Sequence, residues 1–284
     1  MGRQRPFRPH LFIGLGLIAL AGLLHPAVDF LLTPLPAGYA AETRYTADTR
    51  FRGSPTAAWV SAPLIARRTD QTLTVSGGIS IIQGDVHWIT EDGTPSYEHT
   101  TLYGVNRRTR MNVPGYGDAD RTGQFLFPQH VRQTTYEFWD PYYLGPRTAT
   151  FSRVEEVEGL TTYVFDYTAV DIDATGGYTF LPDVPERYRA LSDGLGTLWI
   201  EPLSGVVVDF EDEGVSYFVD AKTDERVADL YHWSPRYTPE TRAAQLARAR
   251  AARSWHMALE YWLPAGLLLA GLLWVGIGWR RHRS

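Results

Sequence analysis

The sequence contains no cysteine and only one lysine, Lys222, among its 284 residues. The absence of cysteine excludes disulfides, thiolate metal sites and a cysteine nucleophile. A basic surplus is also missing, since 27 Lys and Arg stand against 32 Asp and Glu, for a net charge of −5. Because proteins that bind nucleic acids use such a surplus to neutralise phosphates, DNA and RNA are not expected partners.

Patterns typical of catalysis are also absent from the sequence. The eight histidines form no HExxH pair, and there is no GxSxG motif and no glycine-rich phosphate loop. The segment Asp118–Gly123 begins like a calcium loop, but Gln129 stands where a bidentate Glu belongs. We therefore predict no catalytic residue, no cofactor and no metal ligand.

An apolar segment, Leu11–Leu32, lies near the N-terminus and is interrupted by His25 and Asp29. Its uninterrupted part, Leu11–Leu24, has the length of a signal-peptide core, and small residues at 38–41 offer a cleavage point. A transmembrane helix and a cleaved signal peptide both stay open for this segment. If it spans the membrane, His25 and Asp29 are its candidate intramembrane polar groups. The preceding basic residues are Arg3, Arg5 and Arg8.

A second apolar segment, Leu263–Trp279, contains 17 residues without a charge. This pattern predicts a transmembrane helix with aromatic anchors and a basic tail. The anchoring residues are Tyr261, Trp262, Trp274, Trp279, Arg280, Arg281 and Arg283. Because arginine-rich short ends stay inside, residues 1–10 and 280–284 are predicted to be cytoplasmic and the acidic middle extracytoplasmic, in a two-pass protein of the cytoplasmic membrane.

Residues 33–237 show a β pattern. Apolar and hydroxyl side chains alternate through Leu73–Ile81, with Ser76–Gly78 inside the strand, and Glu158–Gly159 separates two further runs as a hairpin turn. Residues 211–214 are interpreted as a second hairpin turn. We predict short, largely antiparallel strands and a subdivision near 118–123. Further turn signals occur at Asp92–Gly93, 115–117, Gly176–Gly177, Asp193–Gly194 and Ser204–Gly205.

The pattern becomes helical at Thr238, which can cap a helix whose first residue is Pro239. Residues 238–262 are predicted to form a stalk helix that runs into the second membrane helix with a kink near Pro264. The stalk is either a rigid coupler or a solvated spacer. The predicted fold class is mainly β, antiparallel and α+β overall, with an extracytoplasmic β domain between two transmembrane helices.

Several of these segments together resemble the porin PorA family of membrane proteins. Two departures are Asn106, where the family tends to have an aspartate, and Leu203–Ser204 within the family's turn motif. The resembling segments are Gly104–Thr109, Phe125–Pro128, Thr135–Asp140, Val157–Phe165, Ile200–Val206 and Tyr237–Thr241, followed by the alanine-rich helix and the Pro264 segment.

The resemblance implies two membrane helices around an extracytoplasmic β domain, with the first helix retained rather than cleaved. The family label implies a pore in the cell envelope. Two apolar helices cannot enclose a water channel, so a pore would require several copies of the chain.

Three functional hypotheses follow. The leading one is a two-pass envelope protein with a non-catalytic β domain that binds a protein partner or an envelope lipid or glycan. The alternative is a homo-oligomeric porin or channel component, in which His25 and Asp29 are the candidate polar groups within the membrane. The third is an extracytoplasmic hydrolase, which would require two carboxylates, or a histidine and a carboxylate, converging in a cleft.

Overall fold

The computed structural model describes residues 9–32, 34–140, 145–175 and 187–283. The chain forms two compact units, one from Leu35 to Arg250 and one from Met1–Pro34 together with Ala251–Ser284. The predicted turn at Gly176–Gly177 lies outside the described residues. The domain boundaries drawn from the sequence stay predictions.

The larger unit is an antiparallel sheet, which confirms the predicted fold class for this part of the chain. Its strands run in the order β6-β5-β4-β3-β1-β12-β11-β10-β9-β8-β7, and β2 pairs with β1. The strands found in the described residues are β1 (Ala40–Phe51), β2 (Val60–Ser61), β3 (Leu64–Ser76), β4 (Ile79–Thr90), β5 (Pro95–Asn106), β6 (Asn112–Gly117), β7 (Thr135–Asp140), β8 (Gly145–Val157), β9 (Leu160–Asp173), β10 (Tyr188–Ile200), β11 (Val207–Asp220) and β12 (Arg226–Tyr237).

The sheet closes almost completely into a barrel at Gln124. This residue bridges Met111, beside β6, and Phe138 in β7, and these are the two ends of the strand order. The Gln124 amide donates to the Glu137 carbonyl at 2.8 Å, and the Trp139 amide donates to the Gln124 carbonyl at 2.9 Å. A short segment therefore satisfies backbone groups that two open sheet edges would leave unpaired.

Aromatic and aliphatic side chains fill the barrel interior. The main buried cluster draws residues from β1, β3 and β8–β11, with further side chains from β4, β7 and β12 packed against it. The Phe127 ring centroid lies 5.6 Å from that of Tyr136, 5.9 Å from Phe165 and 6.2 Å from Phe138. Phe165 and Ile200 are completely buried. The interior is thus a packed core through much of its length.

The prediction of short strands is wrong. Nine strands have 12 to 14 residues, and residues 193–194 and 211–214, interpreted as turns, lie inside β10 and β11. Gly214 in β11 and Gly196 in β10 make room for neighbouring side chains rather than turning the chain. A Cβ atom at Gly214 would collide with the Trp233 ring, and one at Gly196 would collide with Tyr167. Glycine inside a strand often marks this kind of close approach.

The observed hairpin turns contain residues with positive φ angles. The Gly77–Gly78 pair, predicted inside a strand, instead joins β3 to β4, with φ angles of 57° and 83°. The predicted turn at Glu158–Gly159 is confirmed, with φ angles of 49° and 75° between β8 and β9. Two successive residues at positive φ are typical of the tight hairpin turn that matches strand twist.

Charged side chains occupy much of the barrel's outer face. Glu42 accepts from Arg67 at 2.7 Å and from Arg44 at 2.9 Å, and Arg153 pairs with Glu155 at 2.8 Å. Barrels that span a membrane show the opposite pattern, because lipid requires an apolar outward band. The outer face therefore fits contact with water.

The C-terminal helix begins as the sequence predicts. The Thr241 amide donates to the Thr238 hydroxyl at 3.2 Å, which confirms Thr238 as the cap of α2 (Pro239–Met257). A π-helical turn, Ala258–Trp262, follows and leads into α3 (Leu263–Arg283).

The π-helical turn lies directly before Pro264, where the sequence predicts a kink. The Leu263 amide donates to the Ala258 carbonyl, five residues back. Proline has no amide hydrogen, and its ring clashes with the carbonyl four residues earlier. The wider turn accommodates this clash without ending the helix.

The smaller unit also contains α1 (Pro9–Leu32), which packs against α3. A Cβ atom at Gly271 would lie 2.8 Å from the Gly14 carbonyl oxygen and 2.7 Å from the Ile18 side chain. The backbones of the two helices therefore meet closely where both helices carry glycine. Glycines at such crossings are common in membrane helix pairs.

Among the described residues, one helix, Pro239–Arg280, is long and apolar enough to cross a membrane. In α1, the stretch whose side chains the structure describes, Leu11–Leu24, is apolar as well. The two-pass topology stays a prediction.

We expect Gly196→Ala to destabilise the barrel by about 1–3 kcal/mol, because the added Cβ atom overlaps the buried Tyr167 ring. Gly38→Ala is the matched control, since no atom lies within 4 Å of its added Cβ. Thermal unfolding followed by near-UV circular dichroism would compare the two. Equal melting temperatures would contradict this account of glycines within strands.

Candidate functional site in the barrel interior

A cavity of about 190 Å³ lies within the larger unit, between the barrel wall and the first turns of α2. One part of its lining is aromatic and aliphatic, with Phe127, Phe138 and Phe210 among its residues. The other part carries charged and phenolic side chains. This mixture of apolar surface and a few polar groups is typical of a small-molecule site, although the volume is small for one.

An ion pair between Arg68 and Asp70 forms part of the cavity wall. The Arg68 Nε lies 3.0 Å from Asp70 Oδ2, and its terminal nitrogen lies 2.9 Å from Oδ1. Both side chains are about nine-tenths buried. Burial alone would lower the pKa of Arg68, but the Asp70 carboxylate outweighs it and raises that pKa. Arg68 is thus a neutralised cation.

Arg110 is a second cation in the cavity wall, half-buried overall, and it has no carboxylate partner among the described residues. Its backbone adopts a left-handed φ of 60°, and one terminal nitrogen donates to the carbonyls of Phe127 at 2.9 Å and Ser204 at 3.0 Å. Its buried Nε has no hydrogen-bond partner. Burial, with a smaller contribution from the nearby Arg248, lowers the pKa of Arg110 to about 10.

Tyr39 and Arg248 complete the charged side of the cavity. The Arg248 guanidinium carbon lies 6.0 Å from the centroid of the buried Tyr39 ring. Burial and the neighbouring Asp70 raise the pKa of Tyr39, so its hydroxyl stays protonated and can donate. The lining therefore holds three arginines, Arg68, Arg110 and Arg248, against one carboxylate, and its net charge is positive.

The tight turn after β10 lies next to this site. Buried Glu201 accepts from the Ser204 amide at 2.8 Å and from its hydroxyl at 2.7 Å. The Val131 amide donates to the Pro202 carbonyl at 2.7 Å. Gly205 has a φ of 74°, and a Cβ there would collide with the Pro128 carbonyl. The turn thus holds the Phe127 segment in the barrel interior.

The segments brought together here include four that carry the resemblance noted in the sequence: 104–109, 125–128, 135–140 and 200–206. A family model, Porin PorA, matches residues 9–280, which is nearly the whole chain. The chain belongs to the porin PorA family. No curated protein matches it. Porins are typically non-catalytic, and Porin PorA membership suggests a membrane or envelope location.

The predicted anchoring residues lie on the C-terminal helix. Tyr261 and Trp262 are exposed in the π-helical turn, and Trp274 and Trp279 are exposed in α3, which also includes Arg280. Their anchoring role stays a prediction. The side chains of His25, Asp29, Arg281 and Arg283 lie outside the described residues, although α1 and α3 include their backbones.

Sequence reasoning missed the interior charges, although β3 contains a signal. Leu64, Ala66, Arg68 and Asp70 share one face of the strand, and the first two are buried. Alternate residues of a strand face the same side, so two opposite charges that follow buried residues on that side indicate an interior ion pair. No comparable signal identifies Arg110 or Arg248, because a loop and a helix bring them to the cavity.

The histidine–carboxylate pair that a hydrolase would need does not occur in the barrel cavity, whose only carboxylate in the described residues is Asp70. His256 and Glu260 do form a buried pair, with 3.0 Å between Nδ1 and Oε1. They lie four residues apart on one helical segment, as ordinary helical pairs do. In the incomplete calcium-like motif, Asp118 pairs with Arg121 instead. The predicted absence of metal and cofactor stays a prediction.

The outer face of the barrel carries a larger, open groove of about 740 Å³ across β1 and β9–β12. Val170 and Leu195 in its lining are 65% and 52% exposed, which is high for large apolar side chains. Trp59 lies beside it, with its ring 4.9 Å from the Arg50 guanidinium and 5.2 Å from the His232 ring. Such a mixed surface is typical of partner binding.

We expect Asp70→Asn to cost about 3–5 kcal/mol of unfolding free energy, because Arg68 would remain as a buried, uncompensated cation. Removing both charges, as in R68M/D70L, should recover most of that loss. Chemical denaturation of the three proteins measures the difference. If D70N and R68M/D70L were equally destabilised, charge pairing would not be the stabilising feature.

Proposed function

We propose that the protein is a membrane-anchored subunit of an envelope porin whose conduction path lies between copies of the chain. Membership of the porin PorA family supports a role in permeation. The filled barrel interior is the observation that carries the geometric part of the proposal, because a packed core leaves no open path along a single barrel. The channel alternative is thus better supported than the leading sequence hypothesis of a binding module.

The barrel itself is a poor candidate for the conducting element. Its remaining cavity of about 190 Å³ is bounded by Phe127, Phe138 and Phe210 instead of by a continuous polar lining. Its strands are long enough to span a bilayer, but charged residues such as Glu42 and Arg67 face outward. Placing such charges against lipid would cost several kcal/mol in total.

The helices are the better candidates for the membrane part. The C-terminal helix is long and apolar enough to cross, and the contact between Gly14 and Gly271 supports a retained α1 paired with α3. In this arrangement both termini are cytoplasmic and the barrel is extracytoplasmic. A water path between several helix pairs would need polar groups, for which His25 and Asp29 are the candidates.

A second candidate function is recognition of a protein or glycan partner by the barrel. The observation that favours it is the outer groove, where apolar Val170 and Leu195 are exposed beside charged residues. A subunit of a porin could use such a surface to contact other envelope components.

The conduction path can be located with single cysteines, because the natural chain has none. We expect the reconstituted protein to give conductance steps that require several copies per vesicle. A charged thiol reagent should reduce conductance through Gly276→Cys, since Gly276 is exposed on α3 with open space around it. It should not reduce conductance through Ala41→Cys, which places the thiol in the barrel cavity.

Planar-bilayer recording gives the conductance, and mass spectrometry confirms that both cysteines react. Block through Ala41→Cys alone would show that ions pass through the barrel. An absence of conductance at every protein density would reject the porin role.

The topology has its own test. In intact spheroplasts, added protease should cut within residues 35–237 and spare tags at both termini, because the arginine-rich ends are expected to remain inside. Western blotting of the two tags and of the barrel reads the result. Cleaved terminal tags with an intact barrel would invert the proposed orientation.

A further inference from the structure

We propose that the barrel interior binds the anionic head group of a small amphiphile, with Arg110, Arg248 and Tyr39 as the groups that contact it. The ligand class is a carboxylate or phosphate monoester that bears a short apolar chain. The inference concerns a site within one barrel and holds whether or not copies of the chain assemble into a channel.

The first argument for an anionic ligand is the net positive charge of the cavity lining. Arg68 in the cavity wall and Arg242 on α2 have carboxylate partners, Asp70 and Asp209. Arg110 and Arg248 form no ion pair with any described residue, yet both line the same cavity. Arg110 is half-buried and charged at neutral pH, and its buried Nε has no partner, which is costly for a charged group. A bound anion would supply the missing charge.

The available donors are the second argument. One terminal nitrogen of Arg110 is committed to two backbone carbonyls, which holds the guanidinium in place and leaves its Nε without a partner. The Tyr39 hydroxyl forms no hydrogen bond within the described part of the chain. A guanidinium and a protonated phenol are both donors that suit carboxylate or phosphate oxygens.

The position of Arg248 is the third argument. It lies on α2, on the exposed side of the cavity, with its guanidinium 6.0 Å from the Tyr39 ring centroid. Its side chain can therefore meet an incoming anion in solvent and still reach the phenol. The half-buried Arg110 would contact the same head group from the inside.

The size and lining of the cavity limit the ligand. About 190 Å³ equals roughly six water-sized volumes of about 30 Å³ each, which excludes a whole phospholipid from the cavity. The side chains of Phe127, Phe138 and Phe210 form an apolar wall within the same cavity. A head group bound by the arginines could thus place a chain of a few carbons against these rings.

The test measures binding to the full chain in phosphatidylcholine nanodiscs by isothermal titration calorimetry, with empty nanodiscs as the blank. The probes are hexanoate, hexyl phosphate and uncharged hexan-1-ol. We expect at least one of the two anions to bind ten or more times tighter than the alcohol, and the tighter anion identifies the head group. Arg248→Gln should weaken its binding about ten- to a hundredfold.

Arg250→Gln is the matched control, because it removes the same charge from the same helix but from a residue that pairs with Glu158. Its affinity should equal that of the natural chain, and Arg248→Lys should keep most of the affinity. Arg110→Gln should lose binding as well, but it also breaks two structural hydrogen bonds. Arg248→Gln therefore decides the question, since that side chain forms no hydrogen bond or ion pair with a residue that the structure describes.

The proposal would be overturned if hexan-1-ol bound as tightly as both anions, or if neither anion bound. It would equally be overturned if R248Q and R250Q bound the anion with the same affinity. None of these results depends on conductance, so failure of the site and failure of the porin role are distinguishable.

Discussion

Closure of the barrel at Gln124 is the constraint on which the rest of the larger unit depends. One extended segment hydrogen-bonds to both ends of the strand order, and the Phe127 side chain that follows enters the interior. The buried Glu201–Ser204 turn and the Arg110 guanidinium hold that segment from two sides. The same segment thus pairs the two edges of the sheet and contributes a side chain to the core.

Because the barrel interior is largely packed, membership of a porin family does not by itself imply conduction through this barrel. The strands are long enough to cross a bilayer, so strand length does not distinguish a membrane-spanning barrel from one in water. Many aromatic side chains point inward, and the ion pairs of Glu42 with Arg44 and Arg67 lie on the outer face, whereas a lipid-facing barrel carries an apolar outward band. The C-terminal helix is long and apolar enough to cross a membrane, and α1 and α3 approach closely at Gly14 and Gly271.

The barrel interior is also where polar chemistry accumulates. Arg68 and Asp70 neutralise each other, whereas Arg110 and Arg248 face the cavity without a carboxylate among the described residues. Arg248 is exposed on α2, whereas the Nε of Arg110 is buried without a hydrogen-bond partner, and a buried unpaired polar group is costly. The stability of the core and any ligand binding are therefore linked through the same few arginines.

Local chemistry in the sequence was enough to determine several features: the antiparallel β class, the Thr238 cap, the helix irregularity at Pro264 and the Glu158–Gly159 turn. Each of these depends on residues adjacent along the chain. Tertiary structure alone decided that Gly214 lies within a strand, because it admits the Trp233 ring of the neighbouring strand. It also decided the cavity charge, since Arg110 and Arg248 are 138 positions apart in sequence and meet only when the barrel closes beneath α2.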